Sequence, residues 1–409
     1  MTAGATCAVA ALTMFDPEPI QQALRDFALD GWLLYDFRNS NVLARRVLGL
    51  DGEHAGSRRW ACCLRADGPP RKLVHRIEAG ALDAIPGQSR VYLAWQEFEA
   101  GLAWLLEGLD TVATEYAPRA GNPYVSRIDA GTIELIGESG CKIISSGDLV
   151  QRFEATWDED QAAMHREAEA ITTSAFGVAW QAIAEATSGG GQVQETAIQQ
   201  VIMDHYRAHD ATTYHPPIVA RNAHSGNPHY ETGTGDDTAI RQDDLVLIDQ
   251  WCKVDRPQSV YSDLTRMGYV GAEVPDRYAE VFAVVAAARD AAIACVREAF
   301  AEDRLLQGWE VDQACRDVIV EAGFGEAYIH RTGHSIGQEV HGNGANMDNL
   351  ETHEQRRVMR NTCFSIEPGI YLPEFGIRSE VNVFVDGDGA VHVTGGPCQE
   401  AIVPILATN

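Results

Sequence analysis

Lysine is almost absent from this chain of 409 residues, which contains only Lys72, Lys142 and Lys253. Arginine supplies the other positive charges, and the formal net charge at pH 7 is −27. A chain with so large an acid surplus repels phosphate backbones and anionic membrane surfaces, and no cluster of basic residues offsets that repulsion. We therefore expect no nucleic-acid partner and no membrane partner. Genomic base composition and adaptation to salt both explain the acid surplus, and the sequence does not separate them.

Paired cysteines are also lacking. The nine cysteines are irregularly spaced and include no C-x-x-C motif, which argues against a disulfide framework and against a zinc ribbon. We predict that these residues are reduced thiols and that most of them are buried.

Long apolar runs are missing as well. No stretch approaches the roughly 20 apolar residues of a membrane-spanning helix, and the longest helical run, 281–296, is interrupted by Arg289 and Asp290. Residues 1–19 are partly apolar, but they have no early lysine or arginine and turn acidic at Asp16, unlike a secretory signal. We therefore expect a cytoplasmic protein.

The length of the chain predicts two domains, because a single hydrophobic core rarely extends over so many residues. Residues 1–155 have the pattern of a small α/β domain, with a hairpin-like turn at 67–70 and helical periodicity at 97–109 and 131–140. The segments in this region that alternate or run apolar like strands are 31–37, 59–66, 72–77 and 90–95.

Residues 156–409 predict a second domain of the α+β class. A capping signal at 156–158 opens an amphipathic helix near 158–187. Two further helices are expected at about 276–301 and 310–323, and strand-like segments lie between and after them. We expect helices outside and sheets inside in this domain.

Five potential metal ligands lie in the second half of the chain, in the order Asp249, Asp263, His334, Glu367 and Glu380. Each ends or interrupts a strand-like apolar stretch, where burial of a carboxylate is costly unless a cation or a hydrogen-bond network compensates it. Four carboxylates and one imidazole form a hard, oxygen-rich set. Such a set suits two divalent ions that share bridging carboxylates better than it suits a tetrahedral zinc site. We therefore predict a hydrolase with two metal ions.

The segments around these residues resemble the metallopeptidases with the pita-bread fold, the family of aminopeptidase P, prolidase, methionine aminopeptidase and the metal-free creatinase. The resemblance implies a creatinase-like N-terminal α/β domain followed by a C-terminal pita-bread catalytic domain. It rests on five ordered segments, which are LVLIDQ (245–250), YSDLTR (261–266), HRTGHSIGQEVHG (330–342), CFSIEPGIY (363–371) and GIRSEVNVFV (376–385).

The resemblance implies a role for each of the five ligands. Asp249 would bind one metal ion, and His334 and Glu367 would bind the other. Asp263 and Glu380 would bridge the two ions. Manganese is the expected ion, with cobalt, zinc and iron as alternatives, because all four tolerate this ligand set.

The resemblance also implies the catalytic groups. Water between two divalent ions is acidified toward neutrality, which would give a hydroxide aimed at an amide carbonyl. Glu367 would carry a proton to the leaving nitrogen. His229 and His341 would face the substrate and stabilise the tetrahedral oxyanion.

The substrate expectation comes from the branch of the family. A domain ahead of the catalytic one points toward prolidase, aminopeptidase P and creatinase, and implies a homodimer that cleaves Xaa–Pro bonds in small peptides. Arg378 would bind a substrate carboxylate through its guanidinium fork, or else would form an ion pair between strands. Two other functions stay open, namely hydrolysis of a non-peptide C–N bond, as in ectoine hydrolase, and catalytically silent binding on the same fold.

Most of these residues also have an interpretation that needs no chemistry. Asp249 could be a turn or cap residue, and Glu367 could belong to a Pro-Gly turn. Lone histidines such as His229 and His341 are more often surface or core residues than catalytic ones. The joint order of five candidates in five matching segments favours the metal site. His330 is expected to lie behind the ligands rather than to bind metal.

Three features depart from the family pattern. The segment 253–259 lengthens the connection between Asp249 and Asp263 and predicts an enlarged hairpin tip. Trp251 occupies a position where a small residue is common, and its bulk could form a wall of the pocket. The segment 342–346 follows His341 where many relatives have an acidic residue, and it could define a different group of substrates.

Overall fold

The computed structural model describes residues 15–50, 56–235 and 237–407, and contacts divide the chain into two compact units between Phe153 and Glu154. This division lies two residues before the boundary expected from the sequence. Most of the segment 1–19, which the sequence predicts not to be a secretory signal, lies outside the described residues, and so does Cys7.

Within the described ranges, no helix combines the length and the apolar composition that crossing a membrane requires. The eight cysteines that these ranges contain are free thiols, and six of them are buried. The prediction of reduced, mostly buried thiols is therefore confirmed for these eight residues.

The first unit is built on one mixed sheet of six strands with the order β4-β3-β2-β1-β5-β6. Strand β1 pairs antiparallel with β2 and parallel with β5, which places it at the centre of the sheet. The strands are β1 (Gly31–Asp36), β2 (Trp60–Arg65), β3 (Arg71–His75), β4 (Gln88–Tyr92), β5 (Thr111–Thr114) and β6 (Lys142–Ser145), and the helices are α1 (Glu18–Asp26), α2 (Val42–Val47), α3 (Trp95–Leu106), α4 (Ala130–Glu138) and α5 (Gly147–Glu154).

Alternation along β1 explains why this sheet is covered on both faces. Trp32 and Leu34 belong to one hydrophobic cluster, whereas Leu33 and Tyr35 belong to another on the opposite face. Successive side chains of a strand point to opposite faces, so a strand buried on both sides is apolar throughout. The predicted α/β character of this unit is confirmed.

The second unit combines long helices with several small sheets, as expected for the α+β class. Its principal sheets have the orders β19-β12-β11-β8, with β9 also paired to β11, and β13-β14-β17-β18. The helices are α6 (Glu159–Thr187), α7 (Glu195–Ala208), α8 (Asp276–Ala301) and α9 (Gly308–Glu321), and the strands are β7 (Val193–Gln194), β8 (Ala211–Thr212), β9 (Ile218–Arg221), β10 (Ala239–Ile240), β11 (Leu245–Val254), β12 (Ser262–Tyr269), β13 (Ser335–Ile336), β14 (Thr362–Ile366), β15 (Gly369–Tyr371), β16 (Gly376–Arg378), β17 (Val381–Val385), β18 (Val391–Thr394) and β19 (Val403–Pro404).

The long helices follow the predicted periodicity closely. Helix α6 begins after Asp158, whose Oδ1 accepts the backbone N–H of Gln161 at 2.7 Å, while Gln161 Oε1 accepts the N–H of Asp158. This reciprocal pair forms a capping box that satisfies two backbone donors at the helix start. Helix α8 has the predicted limits. Helix α9 starts two residues earlier than predicted, because Gln307 and Glu310 form its cap.

One strand prediction in the first unit was wrong at its end. The segment 90–95 was expected to be strand throughout, but β4 ends at Tyr92 and α3 begins at Trp95. The carboxylate of Glu97 accepts the backbone N–H groups of Leu93 and Ala94, at 2.6 and 3.1 Å. Those donors are therefore used by the helix cap and not by a sheet partner.

The enlarged hairpin predicted between β11 and β12 is present. Strand β11 ends at Val254 and β12 begins at Ser262, and the tip between them lies against helix α6. Arg256 forms an ion pair with Glu167, and Gln161 donates to the carbonyl of Gln258 at 3.2 Å. The extra residues therefore attach the hairpin to a neighbouring helix.

Candidate metal centre

The first two candidate ligands lie on the same face of the β11–β12 pair. Asp249 pairs with Thr265 across the strands, and Trp251 pairs with Asp263, so both aspartates project from one side of the sheet. The opposite side is mostly apolar, because Val246, Ile248 and Cys252 belong to a hydrophobic cluster that includes residues of helix α6. Strand β11 is central, with β9 on its other edge, and Asp249 and Asp263 are both buried.

The other candidate ligands lie at the ends of the second principal sheet. Glu367 follows β14 and Glu380 precedes β17, and the last paired residues of those strands are Ile366 and Val381. The two glutamates are therefore brought to the same end of the sheet. The backbone N–H of Glu380 donates to the carbonyl of Thr265 at 3.2 Å, which joins this end to β12.

His334 reaches the same place through a close approach between backbones. A Cβ atom on Gly333 would lie 1.9 Å from the carbonyl oxygen of Ser365, so only glycine fits beside β14. Ser365 then links two candidate ligands, because its Oγ accepts the N–H of His334 at 3.0 Å and donates to Glu367 Oε1 at 3.1 Å. The close approach of the two backbones therefore explains why a glycine precedes His334 in the sequence.

The structure brings all five candidates into one cluster. His334 Nε2 lies 3.5 Å from Asp263 Oδ2 and 3.3 Å from Glu367 Oε1. One ligand atom from each of Asp263, His334 and Glu380 lies within 4.8 Å of the others, a spacing that can hold a metal ion. Asp249 and Glu380 are joined through the hydroxyl of Thr265, at 3.1 and 2.8 Å.

Two buried carboxylate oxygens in the cluster have no hydrogen-bond partner within the described residues, namely Asp263 Oδ1 and Glu380 Oε1. An unpaired buried oxygen of a carboxylate is costly, and a divalent cation is the usual compensation. The donor set is also oxygen-rich, as such cations prefer. The residues present therefore fit a metal centre.

Burial and crowding perturb the pKa values of the cluster. Burial raises the pKa of Asp249 to about 7. Burial and nearby carboxylates raise the pKa values of Asp263 and Glu380 well above their ordinary range. Burial also opposes ionisation of Glu367, but His334, Arg378 and other neighbours hold its pKa below the ordinary value. Burial lowers the pKa of His334, which favours the neutral imidazole that binds metals.

Arg378 occupies the position predicted to bind a substrate carboxylate, but its partner is inside the protein. The guanidinium is buried, forms an ion pair with Asp249 and donates from Nε to Thr265 Oγ1 at 2.9 Å. Its Nη1 donates to the hydroxyl of Tyr371 at 3.2 Å, and His330 Nε2 lies 2.8 Å from the same hydroxyl. The alternative considered from the sequence, an ion pair between strands, is the arrangement found.

The two histidines predicted to face the substrate differ in their placement. The ring of His341 packs edge-on against the ring of His334, with centroids 4.2 Å apart. His334 and partial burial hold the pKa of His341 below its ordinary value. His229 is exposed in the loop before Tyr230, where its backbone N–H donates to Asn227 Oδ1 at 3.1 Å. Within the described residues, no hydrogen bond or ion pair joins its ring to the cluster.

The segment 342–346 is a tightly held turn. Ser335, next to His334, accepts the N–H of Gly342 at its carbonyl and the N–H of Gly344 at its hydroxyl, at 2.7 and 3.0 Å. The buried pair of Glu354 and Arg356 holds the same turn, because Arg356 donates to the carbonyl of Asn343 at 2.8 Å. The turn therefore fixes the position of His341.

Sequence reasoning missed several supporting residues, chiefly Thr265 and Tyr371, and also Ser365. Thr265 lies two positions after Asp263 in a strand, so alternation alone could have placed it on the ligand face. Tyr371 gave no such signal, because its partners His330 and Arg378 come together only through the fold.

Known proteins support the fold of both units. Dipeptidase PepE from Mycobacterium ulcerans has a structure with a TM-score of 0.64 and 21% identity, covering 96% of this chain and 99% of that one. An Xaa-Pro dipeptidase from Bacillus anthracis gives a TM-score of 0.59 and 22% identity, covering 95% and 98%. The pita-bread fold expected from the motifs is therefore confirmed.

Sequence relatives point to the same family. A probable dipeptidase PepE of Mycobacterium tuberculosis is 33% identical over 189 residues, or 46% of each chain. An Xaa-Pro dipeptidase of Lactobacillus helveticus is also 33% identical over 189 residues, covering 46% of this chain and 47% of that one. The chain spans about half the length of the curated relatives it matches.

The family model described as metallopeptidase family M24 matches residues 163–387, a stretch that contains all five candidate ligands. Because this match covers more than half of the chain, the protein belongs to metallopeptidase family M24.

Proposed function

We propose that this protein is a dinuclear metal-dependent peptidase that hydrolyses Xaa–Pro amide bonds in di- or oligopeptides. The observation that carries the proposal is the group of Asp263, His334 and Glu380, which Glu367 joins through His334 and Asp249 joins through Thr265, with unpaired buried oxygens on Asp263 and Glu380. The Xaa–Pro preference is supported by the relatives named Xaa-Pro dipeptidase from Lactobacillus helveticus and Pyrococcus furiosus, which are 33% and 29% identical over the aligned residues.

In this proposal, the five residues hold two divalent ions. Asp249 would hold one ion, and His334 and Glu367 would hold the other. Asp263 and Glu380 would contribute to both, which agrees with their unpaired oxygens. Manganese is the proposed native ion, with cobalt, zinc or iron as alternatives, since the oxygen-rich set accepts all of them.

Two bound divalent ions supply an acidified water and polarise the scissile carbonyl. The protein's own groups then divide the remaining work. Thr265 contacts the carboxylates of both Asp249 and Glu380, and Arg378 forms an ion pair with Asp249, so these two residues keep the carboxylates oriented. A carboxylate of low pKa such as Glu367 is ionised and can accept a proton at Oε1, which it then passes to the leaving nitrogen.

The two exposed histidines complete the proposed site. His341 stands beside His334 and can donate a hydrogen bond to the oxyanion that develops on the substrate carbonyl. His229 is proposed to approach the substrate from the loop before Tyr230. The substrate carboxylate is then bound by a group other than Arg378 as long as the pair of Arg378 and Asp249 persists.

The proposal also covers the cellular location and the oligomeric state of the enzyme. We propose a cytoplasmic location, which is supported by the eight free thiols within the described ranges. We also propose a homodimer, as the resemblance to the prolidase branch implies.

The deciding experiment compares substrates and metal states. Protein loaded with manganese or cobalt would be assayed against an Xaa–Pro dipeptide, an Xaa–Pro tripeptide, a non-proline dipeptide and ectoine. A chelated sample is the control for metal dependence. An Asp263→Asn sample, purified and loaded in the same way, is the control for contaminating host peptidases.

Metal-dependent cleavage of the Xaa–Pro members alone is the expected result, and the ratio of dipeptide to tripeptide rates separates a dipeptidase from an aminopeptidase. If the loaded protein cleaved ectoine and left both Xaa–Pro members intact, the function would be that of a small-molecule amidase. If no substrate were cleaved although two ions were bound, the proposal of Xaa–Pro hydrolysis would be wrong.

A further inference from the structure

A cleft of about 400 Å³ lies beside the candidate metal centre. Its volume lies within the range of small-molecule sites, roughly 300–1,000 Å³. All of its lining residues belong to the second unit, and they are Tyr214, Tyr261, Gln338, Glu339, Val340 and His341.

His341 connects this cleft to the metal centre. Its ring lines the cleft and packs against the candidate ligand His334, with ring centroids 4.2 Å apart. On another wall lies Tyr214, whose phenol has a pKa raised by partial burial and, to a smaller extent, by the carboxylates of Asp263 and Asp249. A group bound in the cleft is therefore close to the atoms that would react.

The wall formed by Tyr214 is a stack of aromatic rings. Its ring is stacked on Trp251 with centroids 6.0 Å apart and an angle of 29°, and it meets Tyr261 edge-on at 6.3 Å. Trp251 lies on the ligand face of β11, opposite Asp263, and His215 stacks on it at 6.2 Å. The unusual tryptophan therefore supports a continuous aromatic surface that begins at the metal centre.

Tyr214 is the outermost ring of this stack and remains 68% exposed. The ring of Tyr214 is therefore open to a ligand, and aromatic rings favour stacking on one another. Charge should contribute little to the choice of ligand, because the cleft has residues of both signs nearby. Lys253 lies over the ring of Tyr261 at 4.9 Å, and the acidic Glu339 lines the same cleft.

We propose that this cleft binds the side chain of the substrate's amino-terminal residue and prefers an aromatic ring there, with Tyr214 as the specificity-determining residue. The proposal rests on the proposed function, which assigns proline to the carboxyl side of the scissile bond. The amino-terminal side chain is then the only other side chain of a dipeptide. A ring of this residue stacks on Tyr214, while Trp251 holds Tyr214 in place from behind.

The test uses a series in which proline is constant. The value of kcat/KM would be measured for Gly-Pro, Ala-Pro, Leu-Pro and Phe-Pro with the wild type and with Tyr214→Ala, Tyr214→Phe and Leu305→Ala. Leu305 is an exposed apolar residue of the same unit outside the cleft, and its variant is the matched control. The wild type should prefer Phe-Pro over Gly-Pro by about tenfold or more, as expected for an aromatic stack.

Loss of this preference in Tyr214→Ala, with retention in Tyr214→Phe and Leu305→Ala, is the expected result. A second readout does not need activity, namely calorimetric titration of the metal-free protein with Phe-Pro and Gly-Pro. The wild type should bind Phe-Pro more tightly, and Tyr214→Ala should bind both alike.

Two results would overturn the proposal. If Tyr214→Ala lowered kcat/KM by the same factor for every member, the cleft would hold the proline ring or the backbone. If the wild type bound Phe-Pro and Gly-Pro equally, the cleft would not select an aromatic ring. Absence of all Xaa–Pro cleavage would instead refute the proposed function, and the titration would still decide the nature of the cleft.

Discussion

Thr265 is a neutral residue among four carboxylates, and its single hydroxyl is shared by three of its neighbours. Its Oγ1 lies within hydrogen-bond distance of Asp249 and Glu380 and also accepts from Arg378. Groups that orient metal ligands from behind contribute to metal affinity, typically by about 10–100-fold. The position of this hydroxyl suggests that it aligns the two carboxylates for binding.

We predict that Thr265→Val lowers metal affinity by about 10–100-fold while the fold is kept, because valine has nearly the same shape but cannot hydrogen-bond. Metal titration by calorimetry would measure the change. Thr362→Val is the matched control, since this buried threonine in β14 donates its hydroxyl to the carbonyl of Met359 and not to a candidate ligand within the described residues. Equal metal affinity in wild type and Thr265→Val would show that the ligands are oriented by other contacts.

His341 lies next to a candidate metal ligand without being one, so its substitution should affect catalysis and not metal binding. It contacts the ring of His334 but is not a member of the five-residue cluster. We predict that His341→Ala lowers kcat by about 100-fold, as expected when one donor to an oxyanion is lost, with metal content unchanged. His353→Ala, which removes an exposed histidine bonded to Asn349, is the control. Loss of metal in His341→Ala would instead show that His341 positions the ligand.

At the scale of elements, the loop that contains His229 is fastened at both ends to one buried carboxylate. Glu195, at the start of α7, accepts the N–H of Arg221 at 2.7 Å and the hydroxyl of Tyr230 at 2.6 Å. Its two oxygens also lie 3.0 Å from Nδ1 of His224. Because Tyr230 directly follows His229, this contact limits where the histidine can lie.

We predict that Tyr230→Phe lowers kcat several-fold with metal content unchanged, because His229 loses its anchor while the ring of residue 230 still packs. The decisive measurement is a double-mutant cycle with His229→Ala. If Tyr230 acts through His229, the second substitution should have no further effect in the His229→Ala background. Additive losses would assign Tyr230 a role that is independent of His229.

Helices and strands were predictable from the sequence to the extent that their signals are local. The limits of α6 and α8 follow from caps and apolar periodicity within a few residues. The end of β4 was misjudged because the backbone donors there are taken by Glu97, a side chain in the next helix. Short apolar segments at such borders fit strand and helix alike.

Ligand candidates were predictable because a carboxylate in an apolar strand-like stretch is costly without a compensating group, and because the five candidates occur in one order in five matching segments. Their contacts were not predictable, because those contacts join distant parts of the chain. Arg378 and Asp249 are separated by 129 positions, and Thr265 and Glu380 by 115. Only the sheet register decides whether Arg378 faces a substrate or a carboxylate of the protein, and register depends on long-range pairing.

For the molecule as a whole, the cluster combines residues from two sheets whose strands lie far apart in sequence. Without a cation, the buried carboxylates of Asp249, Asp263 and Glu380 oppose this assembly, and with one they support it. A ligand that binds the folded state stabilises it according to its concentration and affinity. Metal binding and folding of the second unit are therefore coupled, and the coupling depends on pH.

The sign of the pH dependence follows from the raised pKa values. Carboxyl groups with a higher pKa in the folded state than in the unfolded state bind more protons when folded, so the free energy of unfolding falls as pH rises. The lowered pKa values of buried histidines act in the opposite sense, but only below about pH 7, because above it histidine is neutral in both states. From about pH 7 to 8.5 the carboxylates and the buried cysteines act in the same sense, because cysteine begins to ionise in the unfolded chain while burial keeps thiols such as that of Cys62 protonated in the folded state. Substitution of one carboxylate leaves the cysteines unchanged and therefore separates the two contributions.

We predict that the melting temperature of the metal-free protein falls by several degrees across this interval, because Asp263 and Glu380 keep protons in the folded state that the unfolded chain has lost. Calorimetry is the suitable measurement, since two units can unfold in separate transitions. The metal-loaded protein should melt higher and lose less stability over the same interval. Asp263→Asn should flatten the dependence in the metal-free state, because it removes one charge from the cluster. A metal-free wild type whose melting temperature does not change from pH 7 to 8.5 would show that the buried carboxylates are ionised and compensated by the protein alone, which would remove the electrostatic argument for a cation at this site.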